Sequence, residues 1–315
     1  PAYPDFLAIG WMDGPDAASE SIFRSLASRN ALNFHAARSA CGVVFADQAE
    51  GPIRASVQKW LDELKAGRRI PAAALPEVQH GSLGGPPIRR ALLLVGSPRT
   101  RKSTSNSLGS YLFEQLGTQS IRTETIYIHT ALGSPERTRA MLEAVEAADL
   151  VVLAFPLYVD SLPSPVMDAL ERIASQRACR DRTAPAQLWA AISNCGFPEP
   201  DHNATALAIC ANFARLKGFQ WAGSLALGAG QGMVHGIPLN EMDGRAIPLK
   251  KALDLAAASL RHGAAIPPEA QALLARPFIP AWLYRAMGVY GWRQQAKEYG
   301  AAGKMRDRPY LGTRA

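Results

Sequence analysis

The amino-acid sequence predicts an α/β protein whose centre is a doubly wound, five-stranded parallel sheet. Three observations carry this prediction. Between residues 88 and 227, five apolar runs alternate with segments of helical spacing, the βαβ pattern of a parallel sheet. The run 150–155 is nearly all apolar, as expected of a strand covered on both faces. The helical segments also carry start and stop signals. Ser134-Pro135-Glu136 offers an N-cap, a proline at the first helical position and an acid in the first turn, while Gly117 and Gly218 close two helices.

Taken in order, 88–95 is the first strand, followed by a helix from about 104 to 116. A weaker second strand spans 123–128 and leads to the helix that begins at Pro135. After the third strand, Ser164-Pro165 starts a helix with Val166, Leu170 and Ile173 along one side. The fourth strand is 188–193, and 201–217 is the helix closed by Gly218. Phe219, Trp221, Gly223, Leu225 and Leu227 alternate in a fifth strand. Residues 233–315 read as a C-terminal helical extension, with one helix inside 245–265 and an aromatic, basic one over 281–299. Ahead of the sheet, 71–87 reads as a linker, because seven of its seventeen residues are Pro or Gly. Residues 1–70 form a small, mostly helical appendage without a catalytic pattern; Ile53, Val57, Leu61 and Leu64 share one helical face.

The composition, 48% hydrophobic and 19% charged over 315 residues, is that of a globular protein with a full core. The longest apolar run, 150–159, has ten residues and contains Pro156, too short for a membrane-spanning helix. With no basic-then-apolar leader, the expected compartment is the cytoplasm. Cys41, Cys179, Cys195 and Cys210 form no close pairs, so neither a metal site nor a disulfide framework is expected. The net charge is +7, and about six of those charges fall in 276–315. Such a tail suits nucleic acid, a membrane surface, an anionic cofactor or plain solvation.

Ligands of doubly wound sheets sit beyond the carboxyl ends of the strands, which directs attention to three loops. The first, Gly96-Ser-Pro-Arg-Thr-Arg-Lys-Ser-Thr-Ser105, leaves a buried strand and enters a helix. It is dense in hydroxyls, with Ser97, Ser103, Thr104 and Ser105 beside Arg99. A helix start carries a partial charge of roughly +0.5, and hydroxyl donors with one guanidinium complete a cup for an anion. A phosphate monoester, with a charge of about −1.5 to −2, fits it. The triphosphate-loop pattern G-x-x-x-x-G-K-[ST] is absent. Helix capping alone would need one hydroxyl, not four. The second loop, Pro156-Leu-Tyr-Val159 onward to Pro165, is stiffened by prolines and offers Tyr158 as an aromatic ledge or as a rim residue. In the third, Asn194-Cys-Gly-Phe197, Gly196 permits close backbone approach. Cys195 has no His or Lys beside it and reads as a small wall residue.

Together, Gly96-Ser-Pro-Arg99 with Ser103-Thr-Ser105, Pro156-Leu-Tyr158 and Asn194-Cys-Gly-Phe-Pro-Glu199 resemble the flavodoxin-like NAD(P)H-dependent FMN reductase and quinone oxidoreductase superfamily. The resemblance covers about 88–232, with the tail around Trp292 as a further candidate, and does not reach 1–85. It implies that Ser97, Arg99, Ser103, Thr104 and Ser105 hold the phosphate of FMN. It also implies that Pro156, Leu157, Tyr158 and Val159 flank one side of the flavin ring, and Asn194, Cys195, Gly196 and Phe197 another. NAD(P)H is then the co-substrate. The acceptor is a quinone, flavin, nitro- or azo-aromatic compound, and the two substrates use one site in turn. The compact cysteine cluster of the family's iron–sulfur branch is missing.

Gly228-Ala-Gly-Gln-Gly232 departs from the dinucleotide fingerprint in spacing and follows the wrong strand, so it reads as a tight turn near the ligand. Tyr158 and His235 are weak candidates for a catalytic role. The aromatic tail suits packing or subunit contact in a homo-oligomer better than a membrane surface, and no nucleic-acid module accompanies it. Two alternatives to the enzyme stay open: a flavodoxin-type electron carrier, and an adaptor whose flavin is structural or lost.

Overall fold

The computed structural model describes residues 4–77, 88–117, 121–178, 185–242, 244–277 and 280–307. Residues 78–87 of the expected linker, Cys179, and the end of the basic tail from 308 lie outside the described residues.

Five parallel strands form the central sheet: β3 (Arg90–Val95), β4 (Arg122–Tyr127), β5 (Leu150–Pro156), β6 (Leu188–Asn194) and β7 (Gln220–Leu227). Their spatial order is β4-β3-β5-β6-β7, so the strand order reverses beside β3. This is the flavodoxin-like order, with its switch point between β3 and β5. Leu150 to Phe155 are fully buried, which explains why that strand carries no polar position.

Helices cover both faces. On one side lie α3 (Thr104–Gly117), α9 (Ile247–Arg261) and α10 (Pro268–Leu274). On the other lie the short α4 (Ile128–Ala131), α5 (Pro135–Ala147), α6 (Ser164–Arg177) and α7 (Ala204–Leu216). A buried Leu or Ile contributes about 1.5–3 kcal/mol, so this doubly covered sheet is the rigid base for the loops at its carboxyl end. Ser134 caps α5 by accepting from the Arg137 amide, and Val166, Leu170 and Ile173 of α6 are buried, as their spacing predicts. The helix expected over 201–217 begins as a 3-10 turn, Pro200–Asn203, before α7.

The fifth strand departs from simple alternation. Trp189 pairs with Trp221 and Ala190 with Gly223, leaving Ala222 as an extra residue. This bulge turns Trp221 toward the α7 side and Leu225 and Leu227 toward the α9 side, although all three occupy odd positions.

The N-terminal region contains the two expected helices, α1 (Ala17–Asn33) and α2 (Glu50–Lys65). It also contains two strands that the sequence reading lacked, β1 (Phe6–Met12) and β2 (Ser39–Phe45), paired in parallel as a separate two-stranded sheet. Helix α1 lies along α7. Asp16 pairs with Arg215 at 2.7 Å, Asn212 donates to the Ser19 hydroxyl at 2.8 Å, and Ser25 meets Thr205 at 3.4 Å.

At the other end, α8 (Gly230–Met233) is a single turn after β7, and α11 (Ala281–Glu298) is the aromatic, basic helix. The expectation that this tail packs is met only at its start. No residue of α11 is buried, and Trp282, Met287, Tyr290 and Trp292 are exposed.

Candidate functional site

Because all five strands run parallel, the loops after β3, β5, β6 and β7 emerge at one edge and meet there. They enclose a cleft of about 210 Å³ lined by Ser97, Arg99, Ser103, Thr104 and Ser105 from the first loop, and by Pro156, Leu157 and Tyr158 from the second. Asn194, Cys195 and Gly196 come from the third, and Gln231 from α8. All the residues expected at a cofactor therefore line this cleft, except Val159 and Phe197. Val159 sits at an exposed turn, and Phe197 is exposed and stacked on His202 at 4.3 Å. His235 does not line the cleft. Its Nδ1 lies 3.1 Å from the Gln231 side chain, which in turn accepts from Arg99 at 2.9 Å. Wider hollows, of about 370 and 620 Å³, lie at the amino ends of β3 and β4 and along α2, away from these loops.

The first loop owes its path to close packing. A Cβ on Gly96 would fall 2.4 Å from a Val166 methyl and 3.0 Å from the Phe155 Cβ, so only glycine lets β3 end against α6. After a 3-10 turn (Thr100–Lys102), Ser103 caps α3. Its hydroxyl accepts from the Asn106 amide at 3.1 Å and donates to Thr100 O at 2.6 Å. The Ser103 hydroxyl proton is therefore committed to the fold. The Thr104 hydroxyl donates to Gly230 O at 3.2 Å.

Two hydroxyls keep a proton to give. Ser97 Oγ accepts from the Arg99 amide at 3.3 Å, and Ser105 Oγ accepts from Asn194 Nδ2 at 2.8 Å. The amides of Thr104 and Ser105, in the first turn of α3, have no intrahelical acceptor. Arg99 is the only ionised side chain among the described lining residues, and no carboxylate joins it. Such a donor set fits an anion and repels a cation.

Asn194 ties the loops together. Its Nδ2 donates to Ser105 Oγ and to Phe155 O at 3.1 Å, and its backbone carbonyl accepts from the Leu157 amide at 2.8 Å. A Cβ on Gly230 would come within 3.0 Å of the Asn194 Cβ and 3.1 Å of a Thr104 methyl, so α8 closes on the same point. Below it, buried Asn203 accepts from the Ser193 hydroxyl at 2.7 Å and donates toward the Cys195 sulfur at 3.4 Å. Burial pushes the Cys195 thiol above its ordinary pKa, which opposes thiolate formation and suits a wall residue.

Three participants escaped the sequence reading. Gln231 belongs to the glycine-rich turn read there as a tight turn near the ligand. Asn203 had no motif to mark it. Tyr284, at the start of α11, donates its hydroxyl to Gly196 O at 2.5 Å, and burial raises its pKa. The tail thus reaches the rim of the cleft.

A five-stranded parallel sheet in this order, with a cleft lined by hydroxyls and Arg99 at its switch point, defines a flavodoxin-like fold. Within that class, residues 89–196 match the model of the family described as NADPH-dependent FMN reductase. The match brings FMN as cofactor and NAD(P)H as co-substrate, and makes the protein an NAD(P)H-dependent oxidoreductase. No curated protein matches the chain. Among solved structures, it is similar to an FMN-dependent NADH-azoreductase from Bacillus anthracis in complex with FMN. The identity is 14%, covering 55% of this chain and 99% of that one, with a TM-score of 0.40. An NAD(P)H:quinone oxidoreductase from Methanothermobacter marburgensis gives 15% identity, covering 56% and 96%, with a TM-score of 0.40. An NADH:FMN oxidoreductase in its apo form gives 18%, covering 58% and 94%, with a TM-score of 0.42.

Proposed function

We propose that the chain binds FMN with its phosphate at the start of α3 and reduces a small acceptor at the expense of NAD(P)H. The acceptor class is a quinone, a free flavin, or a nitro- or azo-aromatic compound. One observation carries the reading: unpaired donors from Ser97, Ser105 and two α3 amides converge with Arg99 in a cleft free of carboxylates. When bound, FMN supplies the two-electron chemistry.

The chain's own residues bind, orient and shield. Ser97, Ser105, the Thr104 and Ser105 amides and Arg99 would hold the phosphate dianion. Ser103 and Thr104 act mainly by fixing the loop, through their bonds to Thr100 O and Gly230 O. Pro156, Leu157 and Tyr158 offer an apolar wall, and Asn194, Cys195 and Gly196 a second one. The cleft is smaller than the roughly 300 Å³ that encloses a drug-sized ligand. A flavin held here would stay partly uncovered, leaving one face for two substrates in turn. That supports a ping-pong order. Among the described residues no His or carboxylate lines the cleft, which leaves solvent or the exposed Tyr158 as the proton source.

Anaerobic mixing of the FMN-loaded protein with NADPH or NADH tests the reading. The flavin absorbance should bleach within the turnover time and return when a quinone is added. Bleaching by a reduced protein partner, and not by either nucleotide, would favour an electron carrier instead. The exposed aromatic residues of α11 also support a homo-oligomer. Sedimentation at monomer mass would refute that part alone.

A further inference from the structure

We infer that Arg29 and Asn33 of α1 lock the wall that carries Tyr158 into its ligand-holding shape, so that the N-terminal unit sets flavin affinity. The inference rests on the flavin reading of the cleft.

The wall ends in a tight turn. Tyr158 and Ser161 exchange backbone hydrogen bonds at 3.0 and 2.9 Å. Between them, Val159 (φ 49°) and Asp160 (φ 59°) are both left-handed, the pattern of a type I′ hairpin. That turn favours Asn-Gly, whereas a β-branched residue with positive φ is a steric outlier. Val159 is 64% exposed, so burial of its side chain does not offset the strain. Left to itself, the segment would relax.

Asp160 supplies the restraint. It is 6% exposed, and its carboxylate receives three hydrogen bonds from one helix: Arg29 Nε at 2.8 Å, Arg29 Nη2 at 2.6 Å and Asn33 Nδ2 at 2.5 Å. Arg29 and Asn33 are four residues apart, hence on one face of α1. Arg29 Nη2 also meets His202 Nδ1 at 2.8 Å, and His202 stacks on Phe197. A single guanidinium therefore braces the loops after both β5 and β6. Strained backbone persists where its surroundings over-determine it. Here those surroundings come from outside the flavodoxin-like sheet.

Arg29 and Asn33 are positioning residues, acting on a ligand through Leu157 and Tyr158. If they are released, the apparent Kd rises by the inverse of the fraction of molecules that keep the holding shape. Full-length Arg29→Ala, freed of flavin and titrated with FMN, should bind about tenfold more weakly, corresponding to a holding fraction of about one tenth. Without flavin, amide exchange at Tyr158 and Ser161 should accelerate while β5 stays protected. Asn33→Ala, which removes one of the three bonds, should shift both readouts less and in the same direction. Arg215→Ala loosens α1 from α7 away from the turn and should leave both nearly unchanged. Adding Val159→Asn and Asp160→Gly to Arg29→Ala supplies a type I′ sequence that needs no brace and should restore FMN affinity.

Unchanged exchange and affinity in Arg29→Ala, or no recovery in the triple variant, overturns the inference. If the wild-type protein binds no FMN, the flavin reading fails instead, and the exchange rates decide the role of Arg29.

Discussion

Replacing Asn194 with alanine tests how the cleft is assembled. The side chain is buried and donates two hydrogen bonds, to Ser105 Oγ at 2.8 Å and Phe155 O at 3.1 Å. Each such bond is worth about 1 kcal/mol net, so the pair contributes about 2 kcal/mol. For a domain of this size, 1 kcal/mol moves Tm by about 2–4 °C, which predicts a fall of about 4–8 °C. The Leu157 amide keeps its partner, because that acceptor is the Asn194 backbone. The loss should therefore concentrate on Ser105, and FMN affinity should drop with Tm. Scanning calorimetry of the flavin-free protein, followed by FMN titration, measures both. A Tm within about 1 °C of wild type with unchanged affinity would refute the account of Asn194 as the tie between the loops.

Three further outcomes are expected. Arg99→Ala should weaken FMN binding about tenfold and steepen no other defect, since a charged hydrogen bond at this exposed position is worth about 1.5 kcal/mol; titration of the flavin-free protein checks it. The peptide containing Cys195 should resist alkylation by iodoacetamide near neutral pH and react only after unfolding, because burial keeps the thiol protonated; mass mapping of the adducts decides. Bonds from Ser19 and the Arg215 guanidinium hold the Asp16 carboxyl below its ordinary pKa. Its stabilisation is thus complete above the ordinary carboxylate range and lost as pH falls through the lowered value. Asp16 is the N-cap of α1, so Asp16→Ala should cost about 0.5–2 kcal/mol at neutral pH, and that difference should shrink in acid unfolding curves.

Much of the central sheet was legible because a parallel sheet imposes strong local signals. Strand β5 is buried on both faces, so its sequence admits almost no polar residue, and Ser134 and Gly218 mark helix ends through backbone chemistry that is local in sequence. The loops after β3, β5 and β6 were legible too, since hydroxyls, prolines and a glycine cluster next to strand ends. What escaped depends on distant contacts. Among the described residues, strands β1 and β2 pair only with each other, across α1, and β1 has no buried residue, so neither shows the doubly buried apolar run that marked β5. The bulge at Ala222 inverts a strand, and its signal was Gly223, which has φ 104° at the slip but was read as one more alternating position. Asp160 looked like an ordinary loop acid because its partners, Arg29 and Asn33, lie more than a hundred residues away in sequence. The turn it occupies lacks the Asn-Gly pair that would have announced it. Tyr284 was read as part of an aromatic tail, and only its contact with Gly196 O links it to the cleft.

The measurement closest to the heart of this account compares FMN with riboflavin on the flavin-free protein by titration calorimetry. The two ligands share the ring and differ by the phosphate, which is the group that the donors of α3, Ser97, Ser105 and Arg99 would grip. FMN should bind at least a hundredfold more tightly than riboflavin, about 2.8 kcal/mol, and inorganic phosphate should compete with it. Equal affinities, or binding of neither, would contradict the assignment of this cleft.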